Sequence, residues 1–187
     1  MRVHEASTEA IQILTNAGVD SPRLDADLLL AHILGVNRAS LLTWPDRQLT
    51  PKALTRFRDL LARRAAREPL AYIVGHREFF ALDFVVDARV LVPRPETELL
   101  IEHVLRLSNQ MRAPPEIADV GAGSGAIAVT LAVHLPQATI YALDGSAGAL
   151  EVTAENARRL GVADRVRCLR GDLLVPLPGP VDLVADN

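Results

Sequence analysis

The stretch Asp119-Val-Gly-Ala-Gly-Ser-Gly125 places three glycines within five residues, between two apolar segments. It follows the short apolar run Ile117-Ala118 and opens into a second apolar run, 126–133. A strand, a glycine-rich turn and a helix in this order form a nucleotide-binding βα unit. The three glycines lack a Cβ, so the backbone can turn sharply and a ligand can lie against it. The helix that follows points its unpaired N–H groups at that ligand.

Predicted strands and helices alternate through the last third of the chain, which is typical of a parallel sheet. The predicted strands are about 117–120, 139–143, 166–169 and 181–185, and the predicted helices are about 96–108, 124–134 and 147–160. The sequence therefore predicts an α/β fold with an incomplete Rossmann-like domain of about four parallel strands.

A different periodicity governs the first half of the chain. Residues 3–17, 22–34, 38–44 and 51–67 read as helices, so residues 1–75 are predicted to form a helical bundle. After Gly75 the period changes to 2, with apolar residues at 80, 82, 84 and 86, which predicts a hairpin or an extended connector with a turn at or near 87–89. The expected domains are 1–75, 76–112 for the hairpin connector and linker helix, and 113–187.

Each predicted strand ends in residues suited to ligand binding, and ligands of open parallel sheets bind beyond the carboxyl ends of the strands. The candidate binding residues are Gly121, Ala122, Gly123, Ser124, Gly125, Asp144, Asp172, Leu173 and Asn187. The Asp144 carboxylate can accept hydrogen bonds from both ribose hydroxyls of an adenosine. Asp172 is placed to contact the edge of the adenine ring. The Asn187 side chain can both donate and accept hydrogen bonds.

Two kinds of nucleotide ligand fit the glycine turn. The spacing Gly121-x-Gly123-x-x-Ala126 also satisfies the looser dinucleotide fingerprint, and Asp144 would serve NAD equally well. Asp119 counts against a dinucleotide, because it puts a charge inside the strand. A carboxylate there suits a ligand with an ammonium group, such as the methionyl part of S-adenosylmethionine. Without a partner, a buried carboxylate at this position is costly.

Charge and cysteine content narrow the class of protein. Residues 1–75 carry 10 Lys and Arg against 8 Asp and Glu, and residues 76–187 carry 10 against 15, so direct nucleic-acid binding is not favoured. We interpret the arginines of these helices as lying on solvated helix faces.

The single cysteine fits a reducing cytosol, and we expect a cytoplasmic protein without a signal peptide or membrane span. The five histidines show no metal-ligand spacing, so no metal is expected.

The chain resembles the HemK/PrmC family, the protein-(glutamine-N5) methyltransferases of peptide chain release factors, over its whole length. The family's signature between the helical domain and the hairpin is matched by Glu68-Pro-Leu-Ala-Tyr-Ile-Val-Gly-His-Arg-Glu-Phe-Phe80. Its connector motif is matched by Leu91-Val-Pro-Arg-Pro-Glu-Thr-Glu98, and 95–98 favours the release-factor branch. The glycine turn is similar to methyltransferase motif I, and Asp144, 171–173 and 182–187 match the later motifs in order.

The resemblance implies S-adenosyl-L-methionine as cofactor and a release factor as partner. It implies that 121–125 hold the methionyl and ribose parts, that Asp144 binds the ribose hydroxyls, and that Asp172 and Leu173 border the adenine. Asn187 would be the catalytic and substrate-binding first residue of the Asn-Pro-Pro-Tyr motif, which grips the amide of the glutamine in a Gly-Gly-Gln loop. The helical domain would help to dock the release factor.

The resemblance also departs from the family at the end of the chain. The family continues with Pro-Pro-Tyr after Asn187 and has further strands, and it usually has a small residue where this chain has Asp186. We therefore expect a truncated form of a longer enzyme, with an open sheet edge and without activity. Two other interpretations stay open: an adenine-N6 nucleic-acid methyltransferase, which shares an Asn/Asp-Pro-Pro-Tyr grip, and a non-catalytic module that binds a release factor.

Overall fold

A computed structural model describes residues 1–111 and 113–187. The described chain forms two compact units, Met1–Val74 and Gly75–Asn187. The predicted division into three domains stays a prediction, and its boundary at 112 lies outside the described residues.

The first unit is a bundle of five helices. They are α1 (Val3–Asn16), α2 (Pro22–Leu34), α3 (Arg38–Thr43), α4 (Pro51–Ala65) and α5 (Leu70–Val74). The four predicted helices are confirmed, and local signals set their ends: Thr50 caps α4 by accepting from the N–H of Ala53, and Gly35 ends α2 in the left-handed conformation. The fifth helix was not predicted, because five residues are too few to show a period.

Buried apolar side chains from the long helices form the core of this unit, with Leu14, Leu29, Leu30 and Phe57 almost fully enclosed. The arginines of α4 mostly bind groups of the same unit. Arg58 pairs with Glu9, Arg63 pairs with Glu68, and the Arg64 Nε donates to Asp25 Oδ2 at 2.7 Å. These pairs account for much of the positive charge that the sequence displays on this helix.

The Arg64–Asp25 pair is the ion pair on which this unit depends most. Its side chains are 15% and 10% exposed, whereas those of the Arg58–Glu9 pair are 54% and 40% exposed. Arg64 also donates to the Glu68 carbonyl at 3.0 Å. A buried carboxylate that loses its cation is strongly destabilising, whereas an exposed pair contributes little.

We predict that Arg64→Leu lowers the free energy of unfolding of the helical unit by about 3–5 kcal/mol, because Asp25 is left buried without its cation. The matched variant Arg58→Leu should cost less than about 1 kcal/mol. Urea unfolding followed by the fluorescence of Trp44, the only tryptophan of the chain, measures both. Equal losses for the two variants would contradict the assignment.

The second unit begins with a β-hairpin. Strands β1 (His76–Phe79) and β2 (Leu82–Val85) pair antiparallel, with Phe79 opposite Leu82. The hairpin turn consists of Phe80 and Ala81, both with positive φ, at 50° and 58°. The predicted turn near 87–89 exists, but it follows the hairpin and does not close it. Neither Gly nor Asn occupies the true turn, so the sequence carries no turn signal at these two positions.

A four-stranded parallel sheet forms the centre of this unit. Its strands are β3 (Glu116–Val120), β4 (Thr139–Asp144), β5 (Val166–Arg170) and β6 (Leu183–Asp186), in the order β5-β4-β3-β6. The helices are α6 (Thr97–Ser108), α7 (Ala126–His134) and α8 (Ala147–Arg159). This confirms the predicted α/β class with an incomplete Rossmann-like sheet of four parallel strands.

The strand order places the candidate residues together. The central strands β3 and β4 end in the glycine turn and in Asp144, and their outer neighbours end close beside them. Ile117, Ala118, Ile140 and Ala142 are fully buried in these central strands. A rigid sheet therefore carries loops at its carboxyl edge, as in other open parallel sheets. None of the helices in the described residues combines the length and the apolar character needed to cross a membrane.

Candidate functional site

Two cavities lie at the carboxyl edge of the sheet, on either side of the glycine turn. The larger, of about 490 Å³, is lined by the ends of β3, β4, β5 and β6 and the loops that follow them. The smaller, of about 80 Å³, lies between the glycine turn and the connector 91–97. Val120, Gly121 and Asn187 line both cavities. The larger one falls within the usual volume range of small-molecule sites.

Backbone hydrogen bonds hold the glycine turn against the neighbouring strand. The N–H groups of Gly121 and Ala122 both donate to the carbonyl of Leu143, at 2.9 Å each. The N–H of Gly123 donates to Asp144 Oδ2 at 3.0 Å. The three glycines of the turn have φ values of 72°, 55° and 77°, which only glycine adopts at low cost. The turn therefore has a defined shape before any ligand arrives.

Four of the five predicted turn residues line a cavity: Gly121, Ala122, Gly123 and Ser124. Gly125 instead packs against α8. A Cβ on Gly125 would lie 2.9 Å from Thr153 Cγ2 and 3.1 Å from Val129 Cγ2. In contrast, a Cβ on Gly121 would meet nothing within 4 Å. There is thus space for a ligand beside Gly121, whereas Gly125 must be a glycine because α7 and α8 pack closely against it.

This difference predicts separate effects for two matched substitutions. Both Gly125→Ala and Gly121→Ala force a side chain into positive φ, at a cost of about 1–2 kcal/mol. Gly125→Ala should cost about 1–3 kcal/mol more, because its methyl group overlaps Thr153. Thermal unfolding of the two variants checks the difference. A Gly121→Ala variant that is as unstable as Gly125→Ala would argue against the packing role.

Asp119 lies beneath the turn, at 1% exposure. Its Oδ2 accepts from the N–H of Ala128, in the first turn of α7, at 3.0 Å, and its Oδ1 has no partner among the described residues. Burial raises the pKa of this carboxyl group to about 7, and the nearby carboxylates of Asp144 and Asp186 also raise it. An unpartnered buried carboxylate oxygen is costly, so a cationic or hydrogen-donating ligand would stabilise it.

The raised pKa of Asp119 predicts a pH-dependent loss of stability. Between the ordinary aspartate pKa and about 7, the folded chain keeps a proton that the unfolded chain has released. The folded state then binds more protons, so stability falls as the pH rises through this window. The Asn side chain of Asp119→Asn cannot ionise, so its contribution does not change with pH. The free energy of unfolding of the variant relative to the parent should therefore rise between pH 4.5 and 7.5. Denaturant unfolding at several pH values measures this difference. A pH-independent difference would contradict the assignment.

Asp144 ends β4 and lines the larger cavity. Its Oδ2 accepts from Gly123, and its Oδ1 accepts from the N–H of Ser146 at 2.8 Å. These two bonds fix the orientation of the carboxylate at the junction of the turn and α8. Each carboxylate oxygen has a second lone pair, so the group can still accept hydrogen bonds from a ligand.

Asp172, Leu173 and Asn187 complete the set of predicted site residues that face the larger cavity. Asp172 and Leu173 lie in the exposed loop after β5, and Leu173 has a positive φ of 44°. Asn187 follows β6, and its Nδ2 donates to the hydroxyl of Thr97 at 2.8 Å. The structure therefore brings together all the predicted residues apart from Gly125, which lies behind them.

The connector contributes residues that sequence reasoning had not assigned to the site. Leu91, Val92, Pro93, Arg94 and Thr97 line the smaller cavity, opposite the glycine turn. Thr97 is 5% exposed and holds the Asn187 amide. The connector motif was recognised in the sequence, but its residues are about 25 positions from the turn, so only the fold shows that the two meet.

Thr153 and Asn156 of α8 were also missed. Both are fully buried polar side chains, and both donate to backbone carbonyls of the glycine turn. Their spacing of three residues puts them on one face of the helix. Two polar residues on an otherwise apolar helix face are a signal that could have identified them.

Other parts of the described chain offer less. A hollow of about 520 Å³ beside 43–47 is lined by five consecutive residues of one segment, so groups from different elements do not converge there. Within the described residues, no group of three or more His, Cys, Asp or Glu side chains is placed to hold a metal ion.

Comparison with known proteins gives two family matches. The PrmC N-terminal domain matches residues 5–75, and the methyltransferase small domain matches residues 95–187. The release factor glutamine methyltransferase of Moorella thermoacetica is 46% identical over 179 residues, which are 96% of this chain and 63% of that protein. The protein of the same name from Nitratidesulfovibrio vulgaris is 46% identical over 180 residues, or 95% of this chain and 60% of its own.

A third relative, the release factor glutamine methyltransferase of Chlorobaculum tepidum, is 42% identical over 99% of this chain and 66% of its own length. The chain thus spans between 60% and 66% of these three curated relatives. Among solved structures, a ribosomal protein L11 methylase from Lactobacillus delbrueckii aligns with 59% of this chain and 64% of its own, at 22% identity and a TM-score of 0.46. That alignment is too partial to assign a function.

Proposed function

The chain belongs to the family of release factor glutamine methyltransferases, and from this premise we propose what the whole protein does. It transfers a methyl group from S-adenosyl-L-methionine to the side-chain amide nitrogen, N5, of the glutamine in the Gly-Gly-Gln motif of a peptide chain release factor. The observation that carries the proposal is the meeting of the glycine turn, Asp144 and Asn187 around adjoining cavities.

The residues present fit this cofactor. Asp119 offers a buried oxygen without a partner to a cationic group, and its neighbours Asp144 and Asp186 add negative charge. Gly121 leaves open space beside the backbone. When bound, S-adenosylmethionine supplies a methyl group on a positively charged sulfur. A ligand with both an ammonium and a sulfonium charge suits an acidic strand edge, whereas the pyrophosphate of a dinucleotide does not.

Each site residue has a proposed role. The turn 121–125 holds the methionyl and ribose parts of the cofactor, with Gly125 acting through its packing on α8. Asp144 accepts hydrogen bonds from the ribose hydroxyls, and Asp172 and Leu173 lie beside the adenine. Support for these roles comes from the cavity that these residues share and from the fixed orientation of the Asp144 carboxylate.

Asn187 is the proposed catalytic and substrate-binding residue. An amide nitrogen is a poor nucleophile, because its lone pair is delocalised into the carbonyl. Acceptors aimed at its two N–H groups favour a nitrogen with more lone-pair character. The Asn187 Nδ2 already donates to Thr97, so its Oδ1 is the atom left to accept from the substrate amide. Holding that amide in line for transfer then supplies much of the rate.

We further propose that the helical unit docks the release factor, which it would meet in the cytoplasm, where translation takes place. Direct nucleic-acid binding is disfavoured because several α4 arginines already bind groups within the unit. A strongly salt-dependent affinity for DNA or RNA would revive the adenine-N6 alternative. Capture of a release factor without any methyl transfer by the whole protein would favour a binding module.

The cofactor assignment predicts the effect of Asp144→Ala on binding. Titration calorimetry should show saturable binding of S-adenosylmethionine to the chain, and the variant should weaken it on the order of a hundredfold, because hydrogen bonds to a charged group are lost. Asp182→Ala is the matched control. Asp182 also accepts a backbone N–H, from Glu116 at 2.8 Å, but at the opposite end of the strands. If both substitutions weakened cofactor binding equally, the assignment of Asp144 to the ribose would be wrong.

The catalytic assignment predicts that Asn187→Ala slows methyl transfer far more than it weakens cofactor binding. The chain should be extended to the length of its relatives and given radiolabelled cofactor and a purified release factor. Removing a group that stabilises the reacting amide should lower kcat by about a hundredfold or more. A release factor whose Gly-Gly-Gln glutamine is replaced by alanine is the substrate control. Undiminished transfer by the variant would remove Asn187 from the mechanism.

A further inference from the structure

One face of α8 holds the glycine turn from behind. The hydroxyl of Thr153 donates to the carbonyl of Gly123 at 3.0 Å, and the Asn156 Nδ2 donates to the carbonyl of Ser124 at 2.9 Å. Both side chains are completely buried. Consecutive carbonyls of the turn are therefore bound by residues that lie three positions apart on the same helix face.

Asn156 also ties the hairpin to this arrangement. Its Oδ1 accepts from the N–H of Val85 at 2.8 Å, and its Nδ2 donates to the Val85 carbonyl at 3.0 Å as well as to Ser124. The side chain thus hydrogen-bonds the backbone of Val85 as a neighbouring strand would. Both of its N–H groups donate to backbone oxygens. A single buried amide joins the end of the hairpin, α8 and the turn.

We propose that Thr153 and Asn156 are positioning residues that set the shape of the cofactor-binding turn. The peptide units here are trans, so a carbonyl and the N–H of the next residue point in opposite directions. When Thr153 holds the Gly123 carbonyl, the N–H of Ser124 must point away from α8, and Ser124 lines the smaller cavity. Without the two anchors, a turn rich in glycine could rotate these peptide units at little cost.

The close packing of α8 on the turn supports this role. Gly125 lies so near Thr153 that a Cβ would be 3.3 Å from the Thr153 Cα and closer still to its methyl group. Asp144 fixes the same turn from the side of β4, through the N–H of Gly123. The Gly123 residue is therefore held at its N–H by the sheet and at its carbonyl by the helix.

The test uses one substitution at two buried helical threonines. Thr153→Val keeps the shape of the side chain and removes the donor to Gly123. Thr130→Val makes the same change in α7, where the threonine is equally buried and its hydroxyl has no partner among the described residues. Thr153→Ser restores the hydroxyl without the methyl group. Thermal unfolding of each variant verifies that it is folded at the temperature used.

Hydrogen exchange of the unliganded chain is the first readout, because it does not depend on the proposed function. The amides of Gly123 and Gly125 donate to Asp144 and to the Ala122 carbonyl within the turn. They should exchange about tenfold faster in Thr153→Val, because local opening of the turn becomes easier. Thr130→Val and Thr153→Ser should exchange like the parent. Unchanged exchange in Thr153→Val, or equal acceleration in both valine variants, overturns the proposal.

The second readout is cofactor affinity by titration calorimetry, since the inference rests on the proposed cofactor site. Thr153→Val should weaken S-adenosylmethionine about tenfold, because it leaves a carbonyl of the turn without its hydrogen bond. Thr130→Val should bind like the parent. A parent chain that binds no cofactor would refute the proposed cofactor site of this chain, while the exchange data would still decide whether α8 sets the shape of the turn. Faster exchange with unchanged affinity would overturn the link to the cofactor.

A second variant tests the hairpin link. Asn156→Asp keeps an oxygen to accept from Val85 but replaces the donor with an oxygen that faces the carbonyls of Val85 and Ser124. The turn amides should then exchange faster while the Val85 amide stays protected. Loss of protection at Val85 alone, with the turn unaffected, would show that Asn156 serves the hairpin only.

Discussion

The shape of the glycine turn after β3 decides where the other groups of the site lie. The Leu143 carbonyl binds its first two N–H groups, Asp144 binds the third residue, and α8 binds two of its carbonyls. These anchors come from separate elements, so the turn keeps its shape only when β3, β4 and α8 pack as they do. A site built in this way is preorganised, and little ordering is left for a ligand to drive.

Charge is the second property that shapes the site. The carboxyl groups of Asp119, Asp144 and Asp186 meet at neighbouring strand ends, closely enough that two of them raise the pKa of the third. Such an arrangement opposes folding, since the charges repel and Asp119 is desolvated. The N–H of Ala128 offsets part of this cost at the N-terminus of α7, where the helix dipole favours negative charge. A cationic ligand would offset more of it.

Much of this arrangement could be predicted from the sequence. The period of the apolar residues identified the helices and the alternating strands, and the glycine turn identified the edge of the sheet where ligands bind. The turn near 87–89 was predicted, but the hairpin turn was not, because Phe80 and Ala81 adopt positive φ without a glycine. Thr97, Thr153 and Asn156 were missed because their partners lie 30 or more positions away, and such pairings depend on how the elements pack.

A crystal structure of the chain with S-adenosylhomocysteine would show whether the larger cavity is the cofactor site. We expect the ligand in the cavity of about 490 Å³, in contact with Gly121. The ribose hydroxyls should lie within about 2.5–3.2 Å of the Asp144 carboxylate oxygens. The glycine turn should superpose on its unliganded shape. A ligand bound elsewhere on the chain, or one that binds this cavity without contacting Asp144, would contradict this assignment.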